Sequence, residues 1–322
     1  METIVTRNLT KQYGSLTAVG GLNLTVNKGE IFGLLGPNGA GKTTTLMMLS
    51  SLLKPTSGSA VINGYDVGTQ SSKVRESIGM VFQDPSSDPI LSAYENLKLH
   101  ALLYDVPLKK INAKISQVLE LVDLEKRKND IVKTFSGGMR RRMEIARGLL
   151  HEPQIFFLDE PTLGLDPQTR GHIWNYIKSL AEKINMTIVL TTHYMEEAEM
   201  LCGRIAIIDH GKVVALDSPA NLIGALGGDT VILKGAINSD KLKSLPFVKE
   251  IQQVGDSYRL SVQNSGKNLQ ELLCAAGPVD FVEVHSPDLN DVFLHYTGKA
   301  MREDEADSVD YIRNMSRAQE SK

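Results

Sequence analysis

The sequence of 322 residues has only two cysteines, Cys202 and Cys274, which excludes a disulfide framework and a thiolate metal site. Both are expected as buried small hydrophobes in a reducing compartment. Long apolar runs are also missing. The longest, residues 46–49 with Leu52 and Leu53, and residues 205–208, fall far short of the roughly 18 residues a membrane span needs. Work at a membrane would therefore require spans from another polypeptide. Met1-Glu2-Thr3-Ile4 shows no basic segment followed by an apolar stretch, so no secretory signal is expected. Nor is there an excess of one charge: 35 basic residues against 38 acidic leave −3, unlike a dedicated nucleic-acid binder. What is present is an ordinary globular composition, 42% hydrophobic and 23% charged, at a length suited to about two domains.

Residues 1 to about 80 read as short β-branched runs bounded by Gly, Asn and Ser, with strands expected at 4–9, 22–26, 31–35 and 60–63. Apolar residues then recur at helical spacing over 92–104, 109–122 and 137–150, which predicts a helical insertion. Strands at 155–158, 187–191 and 204–209, with a helix at 169–184, predict a mostly parallel sheet covered on both faces. Pro219 and the glycines of 224–228 mark a boundary. Beyond it, strand 230–234, helix 238–244, strands 248–254 and 257–263, helix 267–275 and strand 280–284 give a βαββαβ order, followed by helix 288–297. That order predicts a small ferredoxin-like domain over 229–298. Residues 301–322 are polar and charged, and a loosely held tail is expected there.

Gly36-Pro37-Asn38-Gly39-Ala40-Gly41-Lys42-Thr43 fits G-x-x-x-x-G-K-T, after a predicted strand and before a helix expected to run to about Leu53. Such a loop turns its N–H groups toward phosphates, and the helix N-terminus adds partial positive charge. Lys42 is expected to reach the β and γ phosphates, Thr43 to ligate magnesium, and Thr44 to add a phosphate contact. The apolar strand ending in Asp159-Glu160 places two carboxylates at a sheet edge. There Asp159 can hold magnesium and Glu160 can polarise a water for in-line attack on a γ phosphate. Upstream, Ser136-Gly137-Gly138 opens a helix and forms a second anion site, which suggests two nucleotides shared between two chains.

In this order the P-loop, Gln83, Ser136-Gly137-Gly138, Asp159-Glu160 and His193 resemble the nucleotide-binding domain of ATP-binding cassette (ABC) proteins over roughly residues 1–225. The resemblance implies an α/β P-loop NTPase fold: a mostly parallel sheet, an antiparallel strand lobe and a helical subdomain over about 84–152. A small α+β C-terminal domain would follow. It also implies Mg-ATP as substrate and a head-to-tail dimer in which the P-loop of one copy faces Ser136, Gly137 and Gly138 of the second. By position, Tyr13 resembles the aromatic that stacks on adenine and Gln83 the magnesium-sensing glutamine that couples to a transporter. Asp166 resembles the aspartate that communicates across the dimer, and His193 the switch histidine near the γ phosphate. Phe135 and Met139 depart from the usual Leu-Ser-Gly-Gly-Gln, which leaves contacts with the opposite ribose open. The run Arg140-Arg141-Arg142 is expected on a solvated or interfacial helix face.

Ser-Gly-Gly-Met followed by arginines, residues 160–167, and Pro287-Asp288-Leu289-Asn290-Asp291-Val292-Phe293-Leu294 resemble the drug-resistance and antibiotic-export branch. This implies the ATP-hydrolysing subunit of an exporter, peripheral on the cytoplasmic face of the cell membrane, paired with a separate integral-membrane permease. The alternative is a soluble ABC mechanoenzyme of translation or DNA repair. Those usually carry tandem cassettes or a long coiled-coil insertion, and neither is seen here. A metabolic P-loop kinase is opposed by the Ser-Gly-Gly motif.

Overall fold

The computed structural model describes residues 1–298, and the tail expected over 301–322 lies outside the described residues. The chain divides into two compact units between Leu216 and Asp217, a little before the boundary expected near 225.

The first unit opens with β1 (Glu2–Tyr13), β2 (Leu16–Leu22), β3 (Thr25–Asn27) and β4 (Ile31–Leu35), then α1 (Lys42–Leu49), β5 (Ser57–Ile62) and β6 (Tyr65–Asp66). It continues through α2 (Ser71–Ser77), β7 (Ile78–Val81) and the helices α3 (Ala93–Leu103), α4 (Leu108–Leu121) and α5 (Gly137–Leu149). β8 (Ile155–Asp159), α6 (Pro167–Ile184), β9 (Thr187–Thr192), α7 (Met195–Leu201), β10 (Arg204–Asp209) and β11 (Lys212–Asp217) complete it.

Two sheets build this unit. An antiparallel lobe runs β2-β1-β5-β6 with β3 beside β1, and a six-stranded sheet runs β11-β10-β4-β9-β8-β7. Its pairs β10·β4, β4·β9, β9·β8 and β8·β7 are all parallel. β8 and β9 are buried along their whole length, as their unbroken apolar runs require. Phe32 and Leu34 of β4, Ile155 and Phe157 of β8, and Val189 of β9 join Leu46, Met48 and Leu49 of α1 and Ile4, Leu9 and Ile62 of the lobe in one core. Each such side chain stabilises the fold by about 1.5–3 kcal/mol when fully buried. The core thereby fixes the loop between β4 and α1.

Three local expectations are corrected. The strand expected at 22–26 is two strands, because Asn23 leaves the ladder to receive the Asn8 N–H on its Oδ1 at 2.8 Å. α1 stops at Leu49 rather than Leu53. Ser51 turns left-handed at φ 60°, and the N–H groups of Leu52 and Leu53 both close on Met47 O, at 2.9 and 3.0 Å. Of the cysteines only Cys202 is buried; Cys274 is exposed. The insertion around 84–152 contains α3, α4 and α5, and its entry, 84–91, carries no helix. α3 begins at a capping box in which Ser92 and Glu95 satisfy each other's N–H groups.

The second unit contains α8 (Pro219–Ala225), β12 (Asp229–Gly235), α9 (Ser239–Lys243), β13 (Val248–Val254), β14 (Ser257–Val262), α10 (Ser265–Ala276), β15 (Val279–His285) and α11 (Leu289–Thr297). Its sheet runs β13-β14-β12-β15, and every pair is antiparallel. Val231, Leu233, Leu260 and Val262 pack on Leu242 of α9 and Leu272 and Ala276 of α10 in a separate core. α11 starts on a capping box between Asp288 and Asp291. Among the described residues of the chain no helix is long and apolar enough to cross a membrane.

Candidate active site

The parallel strands β4, β9 and β8 are neighbours, so the segments leaving their C-terminal ends converge at one edge of the sheet. From β4 comes the loop Gly36–Gly41. At Gly41 the backbone is left-handed, φ 102°, and a Cβ would stand 2.4 Å from Ala18 O, so only glycine fits where the loop enters α1. Lys42, only 5% exposed, folds back over the loop. Its Nζ donates to Gly36 O at 2.7 Å and to Pro37 O at 3.2 Å, and it pairs with Glu160 Oε1 at 3.1 Å.

From β8 come Asp159 and Glu160, 2% and 6% exposed. Thr43 Oγ1 donates to Asp159 Oδ1 at 3.1 Å, and Thr191 Oγ1 of β9 donates to the same oxygen at 2.6 Å. Glu160 sits in the left-handed region, φ 48°, which costs a non-glycine residue about 1–3 kcal/mol unless its surroundings hold it there. They do: its N–H donates to Thr191 Oγ1 at 2.9 Å, and its carbonyl accepts from Arg141 at 2.9 Å. The carboxylate faces Lys42 on one oxygen and His193 Nδ1 on the other, the latter at 2.6 Å.

These surroundings push the adjacent acids in opposite directions. Burial raises Asp159 above its ordinary value, and the hydrogen bonds from Thr191 and Thr43 do not cancel that effect. Burial also pushes Glu160 up, but the His193 hydrogen bond and the Lys42 charge outweigh it, and the net position is below the ordinary value. Glu160 is thus held in its charged form between Lys42 and His193.

The structure brings together Lys42, Thr43, Asp159, Glu160 and His193 of the predicted set. Gly36, Pro37, Asn38, Gly39, Ala40, Gly41 and Thr44 form the surrounding loop and helix start. The remaining residues stand elsewhere on the unit. Ser136 caps α5 by accepting from Met139 N at 3.3 Å, and Ser136 and Gly137 are exposed. Asp166 caps α6, accepting from Thr169 N at 3.0 Å and Thr169 Oγ1 at 2.6 Å. A Cβ on Gly138 would reach within 2.5 Å of Thr169 Cγ2, so the Ser-Gly-Gly turn and the Asp166 cap are neighbours within one chain. Gln83 is exposed, and Tyr13 is half-buried with Lys11 Nζ 5.1 Å from its ring centroid.

Two participants were missed from sequence. Thr191 ties both acids to β9; its only signal was a polar pair ending an apolar strand. Arg141 was expected on a solvated or interfacial face, and the structure corrects this: it is 8% exposed and donates to main-chain carbonyls around both Gln83 and Glu160. It shares the buried face of α5 with Ile145 and Gly148, four and seven residues on. Arg140 is exposed as expected.

A family model described as "ABC transporter" matches residues 19–163. Linearmycin resistance ATP-binding protein LnrL of Bacillus subtilis is 39% identical over 307 residues, 92% of this chain and 98% of that protein. Nod factor export ATP-binding protein I of Cupriavidus pinatubonensis is 40% identical, covering 92% and 91%. Daunorubicin resistance ATP-binding protein DrrA3 of Streptomyces coeruleorubidus is 36% identical, covering 92% and 96%. Among solved structures, cbiO1 of Clostridium perfringens superposes with a TM-score of 0.65 at 28% identity, over 69% of this chain and 91% of that one. The dimeric ATP-binding cassette MJ0796 with ADP and phosphate superposes with a TM-score of 0.61 at 30% identity, over 67% and 98%. With a phosphate loop, a paired-acid strand end and relatives matched along nearly their whole length, the chain belongs to the ATP-binding subunits of ABC transporters and is an ATPase.

Proposed function

We propose that this chain powers an export-type ABC transporter, coupling ATP-driven pairing of two copies to movement of a separate integral-membrane permease at the cytoplasmic face of the membrane. The observation that carries the reading is the convergence of Lys42, Thr43, Asp159, Glu160 and His193 at one sheet edge. The names of the relatives, resistance to linearmycin and daunorubicin and export of Nod factor, support the export direction.

Magnesium fits the donor set, since the Thr43 hydroxyl and an Asp159 carboxylate oxygen already lie 3.1 Å apart beside the phosphate loop. Thr43 and Asp159, with Gln83, would hold the ion, which when bound neutralises phosphate charge. Lys42 binds the β and γ phosphates, giving up carbonyl and carboxylate partners it can exchange for phosphate oxygens. The N–H groups at the start of α1 add a partial positive charge. Glu160 accepts the proton of an attacking water, and His193 orients the Glu160 carboxylate. Tyr13 stacks on adenine, and Asp166 signals across the dimer. Ser136 and Gly137 are exposed and Gly138 is half-buried at a helix N-terminus, which leaves the turn open to the site of a second copy. The soluble mechanoenzyme alternative is not favoured, since the named relatives are resistance and export proteins matched along nearly their whole length.

The decisive variant is Glu160→Gln, which keeps shape and Asp159 but removes the base. Turnover should fall by about 10²–10⁴-fold. Size-exclusion chromatography with Mg-ATP should then show a dimer that Ser136→Arg, added to the same protein, dissolves. Near-normal turnover would remove Glu160 from the chemical step.

A further inference from the structure

Arg141 has a place in the site that neither the sequence pattern nor the paired acids require. It is one of the few charged side chains buried in the described residues, yet no carboxylate lies within salt-bridge distance of it. Instead its five N–H groups meet five main-chain carbonyls. Nε donates to Pro161 O at 2.7 Å, Nη2 to Asp159 O at 2.8 Å and Glu160 O at 2.9 Å. Nη1 donates to Phe82 O at 2.5 Å and Gln83 O at 3.5 Å. One guanidinium thus spans the exit of β8, the exit of β7 and the helix that begins at Ser136. Its planar fork of fixed donors is the one side chain able to do this, because lysine has three donors at a point and glutamine two.

We propose that Arg141 is a positioning residue for ATP hydrolysis, acting through the main chains of Glu160 and Gln83. Three observations converge on it. Glu160 occupies a left-handed conformation that must be held, and Arg141 holds its carbonyl while Thr191 holds its N–H. Gln83 is exposed and its carbonyl is within reach of the same guanidinium, so Arg141 sets where that residue departs from β7. One turn along α5, Glu144 grips the far end of the same segment, accepting from Ser86 Oγ at 3.0 Å, from Ser87 N at 2.9 Å and from the Ser87 hydroxyl. α5 therefore carries the segment 82–87 at two points and the Glu160 peptide at a third. A shift of the helix that starts at Ser136 is passed to both residues without an intermediate loop. The inference rests on the proposed roles of Glu160 and Gln83.

The test is steady-state ATPase of the full chain for wild type, Arg141→Gln and Arg141→Lys, with Arg140→Gln as an exposed control. Folding is read by thermal melting of the fluorescence of Trp174, the only tryptophan. Displacing a reacting group by about an ångström costs on the order of 100-fold, so both Arg141 variants should lose roughly that factor in kcat. The KM for Mg-ATP and the affinity for a fluorescent ATP analogue should stay within about twofold, because Lys42 and the phosphate loop are untouched. Arg140→Gln should match wild type. If Arg141→Gln does not fold, Arg141→Lys, which retains the charge, decides. Folded variants with kcat near wild type overturn the proposal, as does a loss shared equally by kcat and nucleotide affinity. A wild type whose hydrolysis is indifferent to Glu160→Gln would instead overturn the site assignment on which the proposal rests.

Discussion

Acid should loosen the first unit through His100. The imidazole on α3 lies 4.7 Å from the Tyr104 ring and 6.3 Å from the His151 ring, centroid to centroid. Burial, then the charges of Arg147 and His151, press its pKa down to about 4 from 6.5, and the opposing pull of Glu144 does not compensate. The unfolded chain takes up this proton near pH 6.5 and the folded chain only near pH 4. Between those values the unfolded state binds more protons, so the stability present above pH 6.5 is lost as pH falls toward 4. Integrated over that window the loss is about 2 kcal/mol at pH 5 and about 3 kcal/mol at pH 4. His151, also depressed mainly by burial, adds in the same direction. The assay is guanidinium unfolding at pH 7 and pH 5, followed by Trp174 on α6 of the same unit. His100→Phe should remove about 2 kcal/mol of the difference between the two pH values, whatever its own effect at pH 7. Equal pH differences in wild type and variant would refute the account.

Three further outcomes are expected. Gly138→Val places a side chain where even a Cβ would stand 2.5 Å from Thr169 Cγ2, so phosphate release should fall at least tenfold while titration with a fluorescent nucleotide shows P-loop binding retained. Tyr94→Glu, on the segment that follows Gln83, should abolish transport in membranes carrying the permease and leave ATPase of the isolated subunit within about twofold. Tyr94 is a cleaner probe than Ser92, whose hydroxyl caps α3 and whose loss would cost about 1 kcal/mol of helix stability. In the second unit, His285 should titrate above 6.5 in an NMR experiment because the Asp291 carboxylate, 2.8 Å away, favours its charged form; Asp291→Asn should bring the midpoint back.

The legible parts of the site were those whose physics is local. A phosphate loop needs its glycines, lysine and threonine within eight positions, and an acid pair at a strand end is continuous in the chain, so Lys42, Thr43, Asp159 and Glu160 could be read directly. Asp166 was read by resemblance, and in the structure it caps α6. Arg141 was illegible because its five acceptors are carbonyls, which every residue has, and they come from segments 18 to 59 positions away. Thr191 was illegible for the same reason: its partners lie 31 and 32 residues upstream. The break between β2 and β3 escaped a pattern argument because Leu22, Leu24 and Val26 are all buried, so alternation continues across the point where the ladder changes partners.

The strand order also sets when, during synthesis, this chain can acquire a working site. β4 pairs with β9 and β10, neither of which exists when the phosphate loop leaves the ribosome. Thr43 and Asp159 are 116 residues apart, a delay of about 6–23 s at ordinary translation speeds. Gly29 waits longer still for its bond to Thr187, 158 residues on. Throughout that interval the apolar side chains of β4 have no neighbouring strand on either side. The nascent chain therefore displays a nucleotide loop on an unclosed sheet edge, and it is in this window, rather than after release, that chaperone contact or premature pairing would decide its yield.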